Sequence, residues 1–481
     1  MSSEKLSIRE KVGFSLGDAA ANFIFQTLMI LQLSFYTDTF GISAGAAGLL
    51  FLIARLYAAF LDPIMGAIAD RTNTRWGKFR PWILWTAIPF GVLGFLAFCT
   101  PDFGTTGKIV YAYITYILLM TVYSANNIPY SALSGVITGD QGQRTSLFSY
   151  RFIFVVLATI AIQSVALPMV KHFGGGDSTK GYMITMGIFS VLAVLFFIAT
   201  FSWTKERIKP NPEQKQSLKQ DVSDLLKNGP WVIMFLVFVA MFIFLAIRNS
   251  VLLYYFKYYM DKESIATFLT SMDKGLFGLF DKINFIGKDA DVAVSLFSVT
   301  NLLGQLACIG GIVISNSLAK RFGKRDVFIT GLILATISAA SFMFIGPNGI
   351  LLTFTLQILY NLFWGITMPL PWAMMADVAD YSDWKNNRRA TAIVFAGIVI
   401  GLKVGLALGG AIAGALLEGY GYVANAVQSS TAIMGIRLTT SIYPAIALII
   451  VVIILFFYKI NKSMEIRMQD ELAERRKAYK G

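Results

Sequence analysis

Asp18, Asn22 and Gln26 recur every four residues, a spacing that puts all three on one face of a helix. Tyr123, Asn127, Tyr130 and Ser134 form a second polar row, Ser298, Asn301 and Gln305 a third. Asn361, Trp364 and Met368, with Trp372 a turn further on, form a fourth. Each row is set in a stretch otherwise rich in aliphatic and aromatic residues, and so are the charges of Arg55, Asp62, Arg151, Arg248 and Lys403. A charge at mid-membrane costs about 2.5–3.5 kcal/mol on the insertion scale, so such residues face a cavity or a partner. One polar row would serve equally well to bond helix to helix. Four rows spread over both halves, with aromatic rings among them, argue for a lined polar cavity. Such a lining suits a sugar, whose hydroxyls bond to Asp, Asn, Gln and Arg while its apolar face stacks on Trp or Tyr. Trp364 and Trp372 fit equally well as anchors at the membrane interface. Arg151, Arg248 and Lys403 leave an anionic sugar such as a hexuronide open, although Asp18 and Asp62 can neutralise two of them.

Asp62 is the candidate for coupling transport to a cation, because a carboxyl held away from water can take up and release a proton near neutral pH. Arg55 lies seven residues earlier on the same face, about 10.5 Å along the axis. Arg55, Ser124 and Lys403 are its candidate neighbours, and a purely structural ion pair is the competing reading. Pro63 follows directly, which leaves nearby carbonyls without helical partners and free to meet a cation. Catalysis is not expected. The look-alike of a phosphate loop at Gly104–Lys108 lacks the full spacing, and no HExxH, GxSxG or paired Cys/His pattern occurs. Cys99 and Cys308 sit in apolar segments as packing thiols. His172 is the only histidine, so no metal site or cofactor is expected.

The elements that must position these residues follow from composition. The 481 residues are 56% hydrophobic and 14% charged, against roughly 25% charged in soluble domains. Disorder, a disulfide scaffold and nucleic-acid binding are poor readings despite the net charge of +13. Twelve apolar spans run from 12–37 to 438–459, several exceeding the ~20 residues needed to cross a bilayer. Breaks are expected at Pro129, near Arg248, and at Pro369 and Pro371. Alternate connections hold 27 Lys and Arg against about 7 on the other side, so the basic side, with both termini, is expected in the cytoplasm.

Gly66–Arg71 running on to Gly77–Arg80 after the second span is echoed by Leu318–Arg325 after the eighth. This repeat gives a six-helix lobe over 1–203, a cytoplasmic linker over 204–229, a second lobe over 230–460 and a cytoplasmic tail over 461–481. The central site is expected between the lobes. The Gly401, Gly405, Gly409 run permits close helix approach, at a moving interface or in simple packing. The outer stretch 261–290 reads as a cap over the outer mouth or as a plain insertion.

Several motifs carry a family likeness. These are Gly13–Asp18, Arg55 through Leu61–Gly66, Asn73–Pro81, Asn127–Tyr130, Ala376–Lys385 and Lys403. Together, over about residues 8–460, they resemble the glycoside–pentoside–hexuronide:cation symporters of the major facilitator superfamily, which include melibiose, glucuronide and xyloside permeases. The resemblance implies an all-α fold of twelve transmembrane helices in two pseudo-symmetric lobes. It also implies symport of a small-molecule sugar or glycoside with a coupling cation by alternating access, in a bacterial inner membrane, by a protein expected to work as a monomer. A carrier of amphipathic lipids and a non-transporting sugar sensor are the alternatives. The resemblance makes Asp62 a cation-site carboxylate, places Arg151 and Lys403 in the substrate and coupling region, and puts Tyr123 and Asn127 on the sugar-facing side of the fourth helix. Asp70, Arg71, Gly77, Lys78 and Arg80, with Asp377, Asp380, Arg321 and Lys324, become parts of the cytoplasmic gate.

There are departures. Melibiose-type carriers have a second acidic residue where this chain has Ala58 and an Asn where it has Leu61, which favours H+ over Na+. Their sugar carboxylates fall at Ala20 or Asn22 and at Asn127, so the match is closer to the glucuronide and xyloside branch.

Overall fold

A computed structural model of the chain describes residues 5–208, 223–272, 292–386, 391–423 and 426–478. Its elements are helices: α1 (Ile8–Ser34), α2 (Ala44–Arg71), α3 (Arg80–Leu96), α4 (Thr105–Ile137), α5 (Gln141–Gly174) and α6 (Ser178–Trp203). They continue with α7 (Gly229–Tyr254), α8 (Lys262–Met272), α9 (Val292–Phe322), α10 (Lys324–Ala340), α11 (Ile350–Thr367) and α12 (Pro369–Asn386). The last are α13 (Thr391–Gly419), α14 (Ser430–Thr440), α15 (Ile442–Phe456) and α16 (Lys462–Ala478). Among the described residues there is no β-strand beyond the single bridge between Thr74 and Gly77.

Local sequence sets the ends. Ser7, Ser43, Asp140 and Ser429 each accept a hydrogen bond from the backbone N–H three residues on, satisfying donors that the first turn leaves open. Pro81 stands in the first turn of α3, where its missing N–H costs nothing.

Ten helical runs among the described residues are long and apolar enough to cross a membrane. In α1 the polar row of Asp18, Asn22 and Gln26 lowers the hydropathy, and α3 is 17 residues long. With these two the twelve expected spans are present, and the chain is a multi-pass membrane protein.

The breaks differ in part from expectation. α4 runs through Pro129 and α7 through Arg248 without interruption. Pro129 sits in a stretch where every residue from Ile128 to Ile137 is buried, and packing on all sides holds the turn that proline weakens. The break between α11 and α12 falls at Met368, beside Pro369 as expected. A break at Ser441, between α14 and α15, has no proline to announce it. α1 and α7, six spans apart, both end in a π-helical turn, Phe35–Phe40 and Tyr255–Tyr259.

The chain divides into two compact units. One comprises Met1–Trp231, Trp372–Ile400 and Ser463–Gly481, the other Val232–Pro371 and Gly401–Lys462. The sequence partition follows the order of the spans, whereas these units follow packing. α12 and the start of α13 thus group with α1–α6, although they lie in the second half of the chain. Gly405 and Gly409 back onto the α7 backbone within the second unit, where a Cβ would meet Val239 O at 2.5 Å and Ile243 O at 2.7 Å. The glycine run is a packing device there. Of the 261–290 stretch, α8 packs on α9 and α11 through buried Ile265 and through Phe268, 5.5 Å from Phe354. The remainder lies outside the described residues.

Candidate substrate and cation site

In the first unit, α1 and α5 bring two of the membrane-depth charges together. Arg151 Nε donates to Asp18 Oδ2 at 2.5 Å, and both residues are buried. Asn22, one turn along α1, donates through Nδ2 to the Asp18 carbonyl at 2.8 Å and to Asp18 Oδ1 at 3.3 Å. The guanidinium is enclosed by rings, with centroids of Trp372 at 4.9 Å, Tyr130 at 5.2 Å and Phe152 at 5.5 Å. Stacking of this kind holds the plane of an arginine without using its donors. Arg151 Nη1 is buried and has no hydrogen-bond partner. A buried donor left unmatched costs about 1–3 kcal/mol, which a ligand oxygen would relieve.

The fourth helix contributes unequally. Tyr130 spends its hydroxyl on Phe14 O at 2.7 Å and stacks on Phe14 at 4.7 Å, so it supports Arg151 from below with its ring. Tyr123 stacks on Phe25 at 5.1 Å and lies 6.2 Å from Phe90. Asn127 and, on α1, Gln26 are half-buried and make no hydrogen bond with the described residues. Their amides are open to a polar ligand.

Asp62 is buried on α2, 1% exposed, and accepts a hydrogen bond from Ser124 Oγ at 2.7 Å. The side chain of Arg55 lies outside those described. Ala58 and Leu61, on the same helix, bring no side-chain oxygen. Among the described residues no group of three or more His, Cys, Asp or Glu could hold a metal ion.

The second unit gathers its polar residues around Arg248, 1% exposed on α7. Arg248 Nη1 donates to Thr440 O at 2.8 Å, the carbonyl beside the Ser441 break, and Nη2 to Gln357 Oε1 at 2.7 Å. Tyr360 and Phe342 lie under it at 4.5 and 4.7 Å. No carboxylate pairs with it among the described residues. Trp364 is buried 5.4 Å from Phe244. Asn361 donates to Gln357 O at 2.8 Å. Asn301, Gln305 and Lys403 are half-buried, and Asn301 makes no hydrogen bond with the described residues. Trp364 and Trp372 therefore belong to different units, and only Trp372 shares one with Arg151.

At the loop end of the first unit, Asp377 and Asp380 are buried on α12, and both pair with Arg144 of α5. Arg144 is fully buried and also donates through Nε to Thr138 O at 3.0 Å. Asp70 caps α13, accepting from Ala392 N at 3.2 Å and Ile393 N at 3.1 Å. Lys78 Nζ donates to Asp70 O at 2.9 Å, and Arg71 turns back to Ala67 O at 2.8 Å. Gly77 has φ +114° and presses against Glu206, where a Cβ would lie 2.4 Å from Cδ. The same carboxylate collects the backbone N–H groups of Lys78, Phe79 and Arg80 at 2.7–2.9 Å. Arg80 donates to Phe201 O at 2.6 Å. In the second unit Arg321 is exposed over Phe322 and Lys324 is buried.

Arg144 and Glu206 escaped the sequence reading. The i, i+3 pair of Asp377 and Asp380 announces that a cation is needed, but its supplier lies 233 residues away in the chain.

The chain matches the MFS/sugar transport protein family over residues 13–272 and 284–462. It is 35% identical over 457 residues to the inner membrane symporter YicJ of Escherichia coli (strain K12), covering 94% of this chain and 92% of that one. It is 34% identical over 472 residues to the isoprimeverose transporter of Lactiplantibacillus pentosus, covering 97% and 91%. Among solved structures, the major facilitator superfamily transporter FucP in the outward conformation superposes with a TM-score of 0.61 at 14% identity, over 94% of this chain and 98% of that one.

Proposed function

The chain belongs to the MFS/sugar transport protein family, and on that premise we propose that it imports a glycoside, pentoside or hexuronide together with a cation, H+ in preference to Na+, by alternating access. The observation that carries the reading is the Arg151 guanidinium. It is charge-paired to Asp18, walled by the Trp372 and Tyr130 rings, and left with one buried donor unmatched. A sugar hydroxyl or ring oxygen can take that donor while the apolar sugar face lies on the indole. Asn127 and Gln26, with no hydrogen-bond partner among the described residues, add directional contacts that discriminate one sugar from another. Asn301, Gln305 and Lys403 are further candidates for substrate contact, within the second unit.

Asp62 is the coupling group. Ala58 and Leu61 bring no side-chain oxygen to this stretch of α2, and Na+ binding needs several, whereas a proton needs one carboxyl. Loading Asp62 removes a buried charge close to Tyr123 and so favours the sugar-competent state. Opening toward the cytoplasm then requires Arg144 to leave Asp377 and Asp380, and Asp70 to release the first turn of α13. Both contacts lie at the loop end that the positive-inside rule assigns to the cytoplasm, with both termini on that side.

The test is solute-induced proton movement in lightly buffered proteoliposomes, with and without Na+, across xylosides, glucuronides and galactosides. External alkalinisation on adding one sugar, unaffected by Na+ and lost in Asp62→Asn while sugar exchange persists, is expected. Concentrative uptake by Asp62→Asn would remove Asp62 from the coupling role. Sodium-dependent uptake without a pH change would reverse the choice of cation.

A further inference from the structure

One corner of the first unit carries charge that the transport cycle does not use. There the end of α6 meets the start of α1 and the α2–α3 connection. Arg9 lies over the Trp203 ring at 5.1 Å and Arg75 over Trp76 at 4.7 Å, while Trp76 packs edge-on against Phe201 at 5.6 Å. The carboxylates of the corner are engaged. Glu10 takes both terminal nitrogens of Arg207 and the Lys205 backbone N–H, and Glu206 takes the three backbone N–H groups of the α3 start. Arg9, Arg75 and the ammonium of Lys205 are exposed and make no ion pair or side-chain hydrogen bond with the described residues.

Below these cations, α3 and α6 pack together and present apolar side chains outward. Trp85 and Ile88 are 48% and 63% exposed, Leu195 and Ile198 55% and 39%. In a chain that crosses the bilayer, such faces are covered by acyl chains.

We infer that this corner is a binding site for an anionic phospholipid. Its phosphate sits among Arg9, Arg75 and Lys205, and its chains run down the exposed faces of α3 and α6. Guanidinium groups bind phosphate through paired donors, and the rings beneath Arg9 and Arg75 hold their planes without occupying those donors. Indoles at the same level suit the headgroup region. The inference does not depend on which sugar or cation is carried.

The experiment is native mass spectrometry of the full chain from mixed micelles of phosphatidylglycerol and phosphatidylcholine. Preferential retention of phosphatidylglycerol is expected. Each neutralised cation should lower that preference roughly fivefold, from about 1 kcal/mol per basic residue near the surface, so Arg9→Gln/Arg75→Gln should lower it about twenty-five-fold. Lys171→Gln/Lys180→Gln, which removes the same charge elsewhere in the unit, should leave it unchanged. Arg9→Lys/Arg75→Lys should keep most of it, showing that the corner is still folded. Equal retention of both lipids by the parent, full retention by the Gln variant, an equal loss in the Lys171/Lys180 control, or displacement of the lipid by inorganic phosphate would each overturn the site.

Discussion

The two units bury arginines in opposite ways. In the first, Arg144 and Arg151 each sit against carboxylates, Asp377 with Asp380 and Asp18 respectively. In the second, Arg248 is equally buried but, among the described residues, meets a carbonyl, an amide oxygen and two rings and no carboxylate. Buried ion pairs add little net stability, yet breaking one by removing a partner is costly because the other charge is stranded. An arginine held by neutral acceptors strands no charge when it is lost. The first unit is therefore built as a set of contacts that a ligand, a proton or a movement can switch. The second uses its arginine to pin the open carbonyl at the Ser441 break between α14 and α15.

The comparison can be broken most decisively at Arg144. Arg144→Gln takes the guanidinium away from two buried carboxylates and is expected to destabilise the fold by about 3–5 kcal/mol. Adding Asp377→Asn and Asp380→Asn should restore most of that loss. Thermal unfolding in detergent reads both, and a triple variant no more stable than the single would sink the stranded-charge argument. Arg151→Gln should cost about 1.5–3 kcal/mol of sugar affinity, the worth of a hydrogen bond to a charged group, read by calorimetry with the accepted sugar. Unaltered affinity would move the binding site elsewhere.

Arg248→Gln, by contrast, should cost only about 1–3 kcal/mol of stability, from the unmatched Thr440 carbonyl and Gln357. A loss as large as that of Arg144→Gln would erase the distinction between the units. At the α2–α3 connection, Gly77→Ala puts a Cβ on a positive-φ residue and into Glu206. It should cost about 1–2 kcal/mol, with Glu206→Gln milder because an amide oxygen still accepts from the α3 start. The reverse order would mean that charge, more than backbone shape, holds this turn.

The smallest effect is expected at α16. Hydrogen bonds from Arg467 and then from the Trp384 indole hold Glu471 below the usual carboxylate range. A depressed carboxylate contributes its contact above its unfolded value and loses it as pH falls through the lowered one. The indole resonance of Trp384 should therefore stay fixed near neutral pH and shift only on strong acidification. A shift already complete at the ordinary glutamate value would show that the contact is not made.

Much of this was readable in the chain. The spans, the polar rows and the mid-span carboxyl of Asp62 are visible because a charge or amide among some twenty apolar residues stands out against the bilayer's demand for hydrophobicity. The break at Met368 was legible through its prolines. The one at Ser441 was not, because an arginine 192 residues away in sequence holds its carbonyl. Tyr130 and Tyr123 look alike in the α4 row, and only packing shows that one hydroxyl is spent on Phe14.

The sequence by itself determined that this protein lives in a membrane, how many times it crosses, and which residues at depth could do work. Tertiary structure alone decided which charge answers which: Arg151 for Asp18, Arg144 for Asp377 and Asp380, Glu206 for the turn at Gly77. The reason is physical. Hydropathy and helical periodicity are local and survive in a one-dimensional string. The pairing of buried charges depends on which helix faces are pressed together, and that is settled only when the chain packs.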